Sequence, residues 1–224
     1  LVKTTLCKIR IMAKRDYGQF CGLAHALDIV GERWALLIVR DLLVSPKRFT
    51  DIKRGLPRIP SNILSSRLKE LEGAGVIERR VLPRPDGSVV YELTDYGQEL
   101  EHIVLALGRW GARTLGEPSP QDVVTVDSLI VAMRSTFRPE AARGDDVSYE
   151  LHVGEVVLHI RIENGALRVA EGTLPDPDLV IETGPAIRAL MAAELGPAQA
   201  IADGSVRLTG DPALLTRFAE TFRI

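Results

Sequence analysis

Apolar residues between Phe20 and Leu43 recur at steps of three and four, at Leu23, Leu27, Val30, Trp34, Leu37 and Ile38, with Gly31 between them. That spacing predicts two helices around one core. Phe49, Ile52 and Leu56 predict a short third helix, closed by Gly55 and Pro57. After Pro60 a fourth helix runs from Ser61 to about Glu72 and stops at Gly73-Ala74-Gly75. The pattern then changes period. "VIERRVLP" and "SVVYELT" are alternating, β-branched runs joined by Arg84-Pro85-Asp86-Gly87, the signature of a hairpin. Thr94 is placed to cap one long helix from Asp95 to about Leu115, with Leu100, Ile103, Val104, Leu107 and Trp110 on one side. Such a helix, with no further core to cover, is a natural dimer element.

Beyond the punctuated stretch Glu117-Pro118-Ser119-Pro120 the pattern is different. Leu129, Met133 and Phe137 have helical spacing, and then "VSYELHVG", "EVVLHIRIENG", "ALRVAEG" and "DLVIETG" read as strands. Helices over "PAIRALMAAE", "PAQAIADG" and "PALLTRFAETF" follow, with the short strand "VRLTG" before the last. The expected fold class is therefore α+β: a winged helix-turn-helix over 12–116, a linker over 117–126, and a domain over 127–224 in which helices cover a small antiparallel sheet. A length of 224 residues suits two such domains.

Charge separates the same two halves. Residues 1–116 hold 19 Lys and Arg against 13 Asp and Glu, net +6; the remainder holds 9 against 17, net −8. Ten of the basic residues lie between Pro46 and Arg84. A cluster of this kind suits a polyphosphate, because each neutralised phosphate releases condensed counterions. On the fourth helix Leu64, Leu68 and Leu71 form the core stripe, which leaves Asn62, Ser65, Ser66 and Lys69 facing outward, short enough to meet base edges in a major groove. Two helices joined by a turn, the second polar outward, make a helix-turn-helix. The hairpin is its wing, with Arg79, Arg80 and Arg84 directed at phosphates. The candidate DNA contacts are Arg48, Thr50, Lys53, Arg58, Ser61, Asn62, Ser65, Ser66, Arg67, Lys69, Arg79 and Arg84.

The stretches "CGLAHALDIVGERWALLIVRDLL", "RFTDIKRGLPRIPSNILSSRLKELEGAGVIERRV" and "VVYELTDYGQELEHIVLALGRWG" resemble the HxlR-type winged-helix regulators of bacteria, almost without gaps, over Tyr17 to Arg113. The resemblance implies a homodimer built from the first helix and the helix after the wing, reading the half-sites of a pseudopalindromic double-stranded operator. It also implies a candidate thiol sensor at Cys21, although here Gly22 stands where the family usually has proline and no Lys or Arg adjoins the thiol. The tail from "DPDLVIETG" to "PALLTRFAETF" resembles the sterol carrier protein family, over about Asp127 to Phe222. In that family sheet and helices enclose an apolar tunnel for lipids or other apolar molecules. The candidate cavity wall is Met133, Phe137, Leu158, Ile160, Ile187, Leu190, Met191, Ile201, Leu208, Leu215 and Phe218, each of which would serve equally as plain core.

No catalytic signature competes with this reading. The four histidines are scattered, HExxH, GxSxG and phosphate-loop motifs are absent, and His25 with Asp28 lacks a third metal ligand. We therefore expect neither enzyme nor cofactor nor metal. With no apolar run near 18 residues and no secretory leader, the expected location is the cytoplasm, away from the membrane. Met12-Ala13 resembles a translation start, so Leu1 to Ile11 are expected to be an extension outside the fold. The leading expectation is a homodimeric DNA-binding regulator modulated by an apolar or lipid-like molecule. The alternative is a constitutive regulator whose acidic domain is a protein-interaction or dimerisation module without a ligand.

Overall fold

The computed structural model describes residues 17–224 except 117, 120 and 145. The proposed extension Leu1 to Ile11, the Met12 start and Cys7 lie outside the described residues, as do Glu117 and Pro120 of the linker.

The N-terminal half is helical around a hairpin: α1 (Gly22–Val30), α2 (Ala35–Leu42), α3 (Phe49–Gly55), α4 (Ser61–Gly73), β1 (Ile77–Val81), β2 (Val89–Leu93), α5 (Asp95–Gln98) and α6 (Glu101–Ala112). Ile38, Ile52, Leu64, Leu68, Leu71, Val76 and Ile77 are fully buried in one cluster between these elements. The long helix expected after the wing is interrupted at its first turn. Thr94 ends β2 and caps α5, its hydroxyl accepting from the Gly97 amide at 3.1 Å and donating to the Gly75 carbonyl at 2.6 Å. A Cβ on Gly97 would lie 2.0 Å from the Val76 carbonyl oxygen, so only glycine lets the chain turn this close to β1. The Leu-Thr-x-x-Gly sequence is thus a clamp between wing and helix.

The C-terminal half contains α7 (Val126–Thr136), β3 (Asp146–Val153), β4 (Val156–Glu163), β5 (Ala166–Glu171), β6 (Leu179–Thr183), α8 (Ala186–Met191), α9 (Pro197–Ala202), β7 (Val206–Gly210) and α10 (Ala213–Thr221). Its five strands lie in the order β5-β4-β3-β6-β7. The α+β class is as expected, but one pairing of the sheet departs from the antiparallel arrangement, because β6 runs parallel to β3. Strand β5 lies at one edge, so the chain must cross β4 and β3 to reach the site of β6, and residues 172–178 do so across the sheet. Glu150 holds that crossing: one carboxylate oxygen accepts from the Leu174 amide at 2.7 Å and the other from His152 Nε2 at 2.7 Å. Burial pushes the Glu150 carboxyl up, but these hydrogen bonds outweigh it and hold it below the usual range. On the opposite side of the sheet Tyr149, Leu151, Leu158, Ile160, Leu179 and Ile181 pack against the helices.

Helix α7 belongs to both cores. Leu129, Ile130 and Met133 pack in the C-terminal cluster, whereas Val131 packs in the N-terminal one and Val44 touches both. Two residues advance the helix by about 200°, so Leu129 and Val131 point in nearly opposite directions. Arg134 donates from Nη1 to the Leu43 carbonyl at 3.1 Å, and Arg109 of α6 donates to the Ser135 carbonyl at 2.5 Å. The halves are therefore packed together through α7.

Candidate nucleic-acid interface

Helix α3, the turn 56–60 and helix α4 form the expected helix-turn-helix. The outer stripe of α4 exposes Ser61, Asn62, Ser65 and Lys69, while Leu64, Leu68 and Leu71 face inward. Ser65 Oγ bonds back to the Ser61 carbonyl at 3.0 Å, and half-buried Ser66 donates to Glu70 at 3.0 Å. Asn62 and Lys69 are thus the longer polar side chains that this stripe presents outward.

Arg67 does not fit the expected set. Its side chain is only 16% exposed, and its guanidinium is engaged by Glu70 on the same helix and by Glu32 at 3.6 Å. A helix turns about 100° per residue, so position 67 sits beside core residue Leu68 and faces the α1–α2 corner.

The other cations are disposed around α4. Arg48 precedes α3 and pairs with Asp86 at the wing tip at 2.5 Å, which ties the wing to the helix-turn-helix. Lys53 Nζ donates to the Pro57 carbonyl at 2.9 Å, and Thr50 is exposed on α3. Arg58 lies in the turn and is held by the Gln121 carbonyl at 2.9 Å, with Asp122 at 3.9 Å. On the wing Arg80 is taken up by Glu92 at 2.6 Å, Arg79 lies over the Tyr91 ring, and Arg84 is exposed near the tip. The wing has a third strand segment that the sequence reading missed: Lys47 pairs with Tyr91, each amide donating to the other's carbonyl at 2.9 and 2.8 Å. A lone bridge has no periodicity by which to find it.

Beneath this surface Asp41 is fully buried. Arg40 holds its Oδ1, while Oδ2 has no hydrogen-bond partner. A Cβ on Gly55 would come within 2.7 Å of that oxygen. Burial is the main reason the carboxyl is pushed up to about 6; Asp127 adds to the rise, and Arg40 and Lys47 oppose it.

A second surface is apolar. Phe20, Leu23 and Leu27 at and before α1, and Ile103, Leu107 and Trp110 on α6, are exposed, Leu23 by 69% and Trp110 by 70%. Leu23, Leu27 and Leu37 were expected to be core; instead the small cluster is complete without them. Cys21 stands exposed at the N-terminus of α1, and the Ala24 and Leu23 amides lower its thiol pKa. The helix start supplies what the missing Lys or Arg neighbour does not.

The expected cavity wall is a packed interior. Met133, Leu158, Ile160, Ile187, Leu190, Met191, Leu215 and Phe218 are buried together, with Phe218 between Tyr149 and Phe222 at centroid distances of 5.3 and 4.7 Å. Phe137 and Leu208 pack at its margin, and Ile201, 40% exposed, is not part of it. Ile201 lies on a single-turn-scale helix whose Ala200 already fills the inward position. Two open recesses, of about 320 and 380 Å³, have other linings, chiefly polar and glycine residues.

Residues 29–119, which span these helices, the clamp glycine and the wing, match a family model described as HxlR-like helix-turn-helix. A Bacillus subtilis protein, the uncharacterized HTH-type transcriptional regulator YvaP, is 40% identical over 94 residues, which span 42% of this chain and 86% of that protein. The chain belongs to the HxlR-like helix-turn-helix family. Within that family it is also similar to the HTH-type transcriptional regulator YodB of Bacillus subtilis, 39% identical over 39% of this chain and 79% of YodB. Among solved structures, the redox regulator HypR in its oxidized form is 32% identical over 43% of this chain and 99% of its own, with a TM-score of 0.41. Residues 137–223 match the SCP-2 sterol transfer family, so this HxlR-like chain carries an SCP-2 domain after its helix-turn-helix half. Among the described residues no helix is long and apolar enough to cross a membrane, and no group of three potential ligands is placed to hold a metal.

Proposed function

We propose that this chain is a cytoplasmic transcription regulator that binds double-stranded DNA as a homodimer, and that its SCP-2 domain modulates that binding. The observation that carries the reading is the exposed Asn62/Lys69 stripe of α4, flanked by the Arg48-anchored wing and by Arg84. The uncovered apolar residues of α1 and α6 support the homodimer, since exposed patches of this kind mark protein contacts. A second copy would cover them and set two recognition helices on a pseudopalindromic operator.

The modulating molecule is apolar or lipid-like, the chemistry that matches the domain's interior. To enter, it must part Phe218 from its neighbours, so binding and a change of domain packing are one event. The packed interior equally favours a second reading, a domain that acts by protein contact alone. Native mass spectrometry of the protein purified without detergent, with thermal unfolding before and after delipidation, separates the two: a ligand that binds only the folded form raises the midpoint.

DNA binding is tested by substitution. Asn62→Ala and Lys69→Ala reduce discrimination between operator and random duplex by roughly 1 to 3 kcal/mol per lost base contact, whereas Arg84→Ala weakens both alike. Equal behaviour of the two classes in a gel shift, or a salt slope near zero, would sink the reading.

A further inference from the structure

The acidic half touches the winged helix-turn-helix at the root of the wing and at the turn before α4. Asp127, in the first turn of α7, pairs with Lys47 Nζ at 2.9 Å, and both side chains are largely enclosed, 14% and 13% exposed. Lys47 is no ordinary loop residue. Its backbone is the third segment of the wing, bonded in both directions to Tyr91, and its successor Arg48 opens α3 and grips the wing tip at Asp86. One lysine therefore joins α7, the wing and the start of the helix-turn-helix. Upstream of α7 the same segment reaches Arg58, in the turn before α4, through Gln121 and Asp122.

The pairing at Lys47 is built rather than incidental. Helix α7 is seated by Val131 in the N-terminal core and by the Arg134 bond to the end of α2, so Asp127 has a defined place relative to α2. The other face of the same helix packs on the SCP-2 sheet through Leu129 and Met133. Any repacking of that interior that shifts α7 along its axis displaces Asp127, and Lys47 with it. An enclosed ion pair also tolerates separation poorly, because each partner would be left desolvated and unpaired.

We propose that Asp127, through Lys47, is the lever by which the SCP-2 domain positions the wing and so sets the affinity for DNA. The proposal deepens the reading given above and rests on it for its DNA consequence, but not for its structural part. It assigns the regulation to the root of the wing, and the operator-reading residues of α4 keep their geometry in both states.

The test uses the full chain, wild type against Asp127→Asn, with Asp127→Glu as the conservative variant. Amide hydrogen exchange at Lys47 and Tyr91 reports the bridge, and amides of the β3–β4 ladder report global stability. The expected result for Asp127→Asn is exchange faster by about tenfold at Lys47 and Tyr91 with the ladder unchanged, and restoration by Asp127→Glu. Binding to a pool of random-sequence duplexes about three helical turns long weakens about threefold or more in the same variant. Unchanged exchange at Tyr91 overturns the proposal. So does faster exchange with wild-type duplex affinity, which would leave the bridge mobile and the DNA indifferent to it. Should the wild type bind no duplex, the DNA-binding reading fails by itself, and the exchange arm still decides whether Asp127 holds the wing. If Asp127→Asn loosens the ladder as well, the comparison moves to Lys47→Met, which removes the pair from the other side and keeps the aliphatic stem; faster exchange at Tyr91 with the ladder unchanged supports the lever, and unchanged exchange, or exchange raised only in step with the ladder, overturns it.

Discussion

The two halves finish their cores to different degrees. In the SCP-2 domain the large apolar side chains are almost all enclosed, with Ile201 the exception among the described residues, whereas the DNA-binding half leaves Phe20, Leu23, Leu27, Leu37, Ile103, Leu107 and Trp110 in solvent. The basic half also borrows from the acidic one, since Val131 completes its cluster from across the boundary. The SCP-2 core takes Val44 at its margin from across the boundary, whereas the winged helix takes buried Val131 and still leaves the outer faces of α1 and α6 exposed. A winged helix of about 90 residues has little interior to spare. It covers its inner faces with what lies nearest and leaves the outer faces of α1 and α6 exposed, the faces on which the proposed dimer would form.

The most severe way to break this contrast is to damage the borrowed position. Val131→Asp places an unpaired charge in the DNA-binding core and should cost about 3 kcal/mol or more, seen in urea as earlier unfolding of the half to which residue 131 does not belong by sequence. If only the SCP-2 domain loses stability, the borrowing is illusory. A truncation after Gly116 should likewise yield a less stable winged helix.

The next effect comes from Asp41. Its carboxyl is pushed up to about 6 against a free value near 3.8, so the folded state holds its proton more tightly than the unfolded one. That contribution to stability is fully present below about pH 4 and is lost as pH rises through 6, a loss of roughly 3 kcal/mol by pH 7. The charged groups facing it are Arg40, Lys47 and Asp127. Asp41→Asn should flatten this part of the stability profile between pH 4 and 7; a difference profile without slope would show that the carboxyl is not desolvated as described.

Trp110→Asp sharpens the other incompleteness. Large aromatics at the centre of an interface typically contribute about 2 kcal/mol or more, so the dimer should weaken about 30-fold in sedimentation equilibrium, with thermal stability of the monomer unchanged. The smallest effect is at Cys21, beside the same surface. With Cys7 replaced by serine, alkylation of Cys21 should titrate below that of a free cysteine thiol measured alongside, and should slow at protein concentrations that favour the proposed dimer. Alkylation indifferent to concentration would move the interface away from the start of α1.

Much of this was legible in the chain. The change of sign in charge at the boundary is read by counting, and the succession of helices, hairpin and strands and the outward placement of Asn62, Ser65 and Lys69 follow from local period, because a side chain's direction on a regular element depends only on its position along that element. Thr94 was visible as a cap, and its clamp with Gly97 needed only neighbours close in space to become intelligible.

The rest depended on contacts between residues far apart, for which local period carries no information. Whether a helix has one covered face or two is decided by what arrives on the second face: Val131 and Leu129 are equally apolar in sequence, and only the position of α2 makes one of them part of the other domain's core. The same reason turns Arg67 toward Glu32, leaves Leu23 and Leu37 uncovered, runs β6 parallel to β3, and buries Asp41 with one oxygen unpaired. The amino-acid pattern specifies elements and their faces; the free energy of closing surfaces against one another selects which faces meet, and in this protein that selection joins an SCP-2 domain to a winged helix-turn-helix.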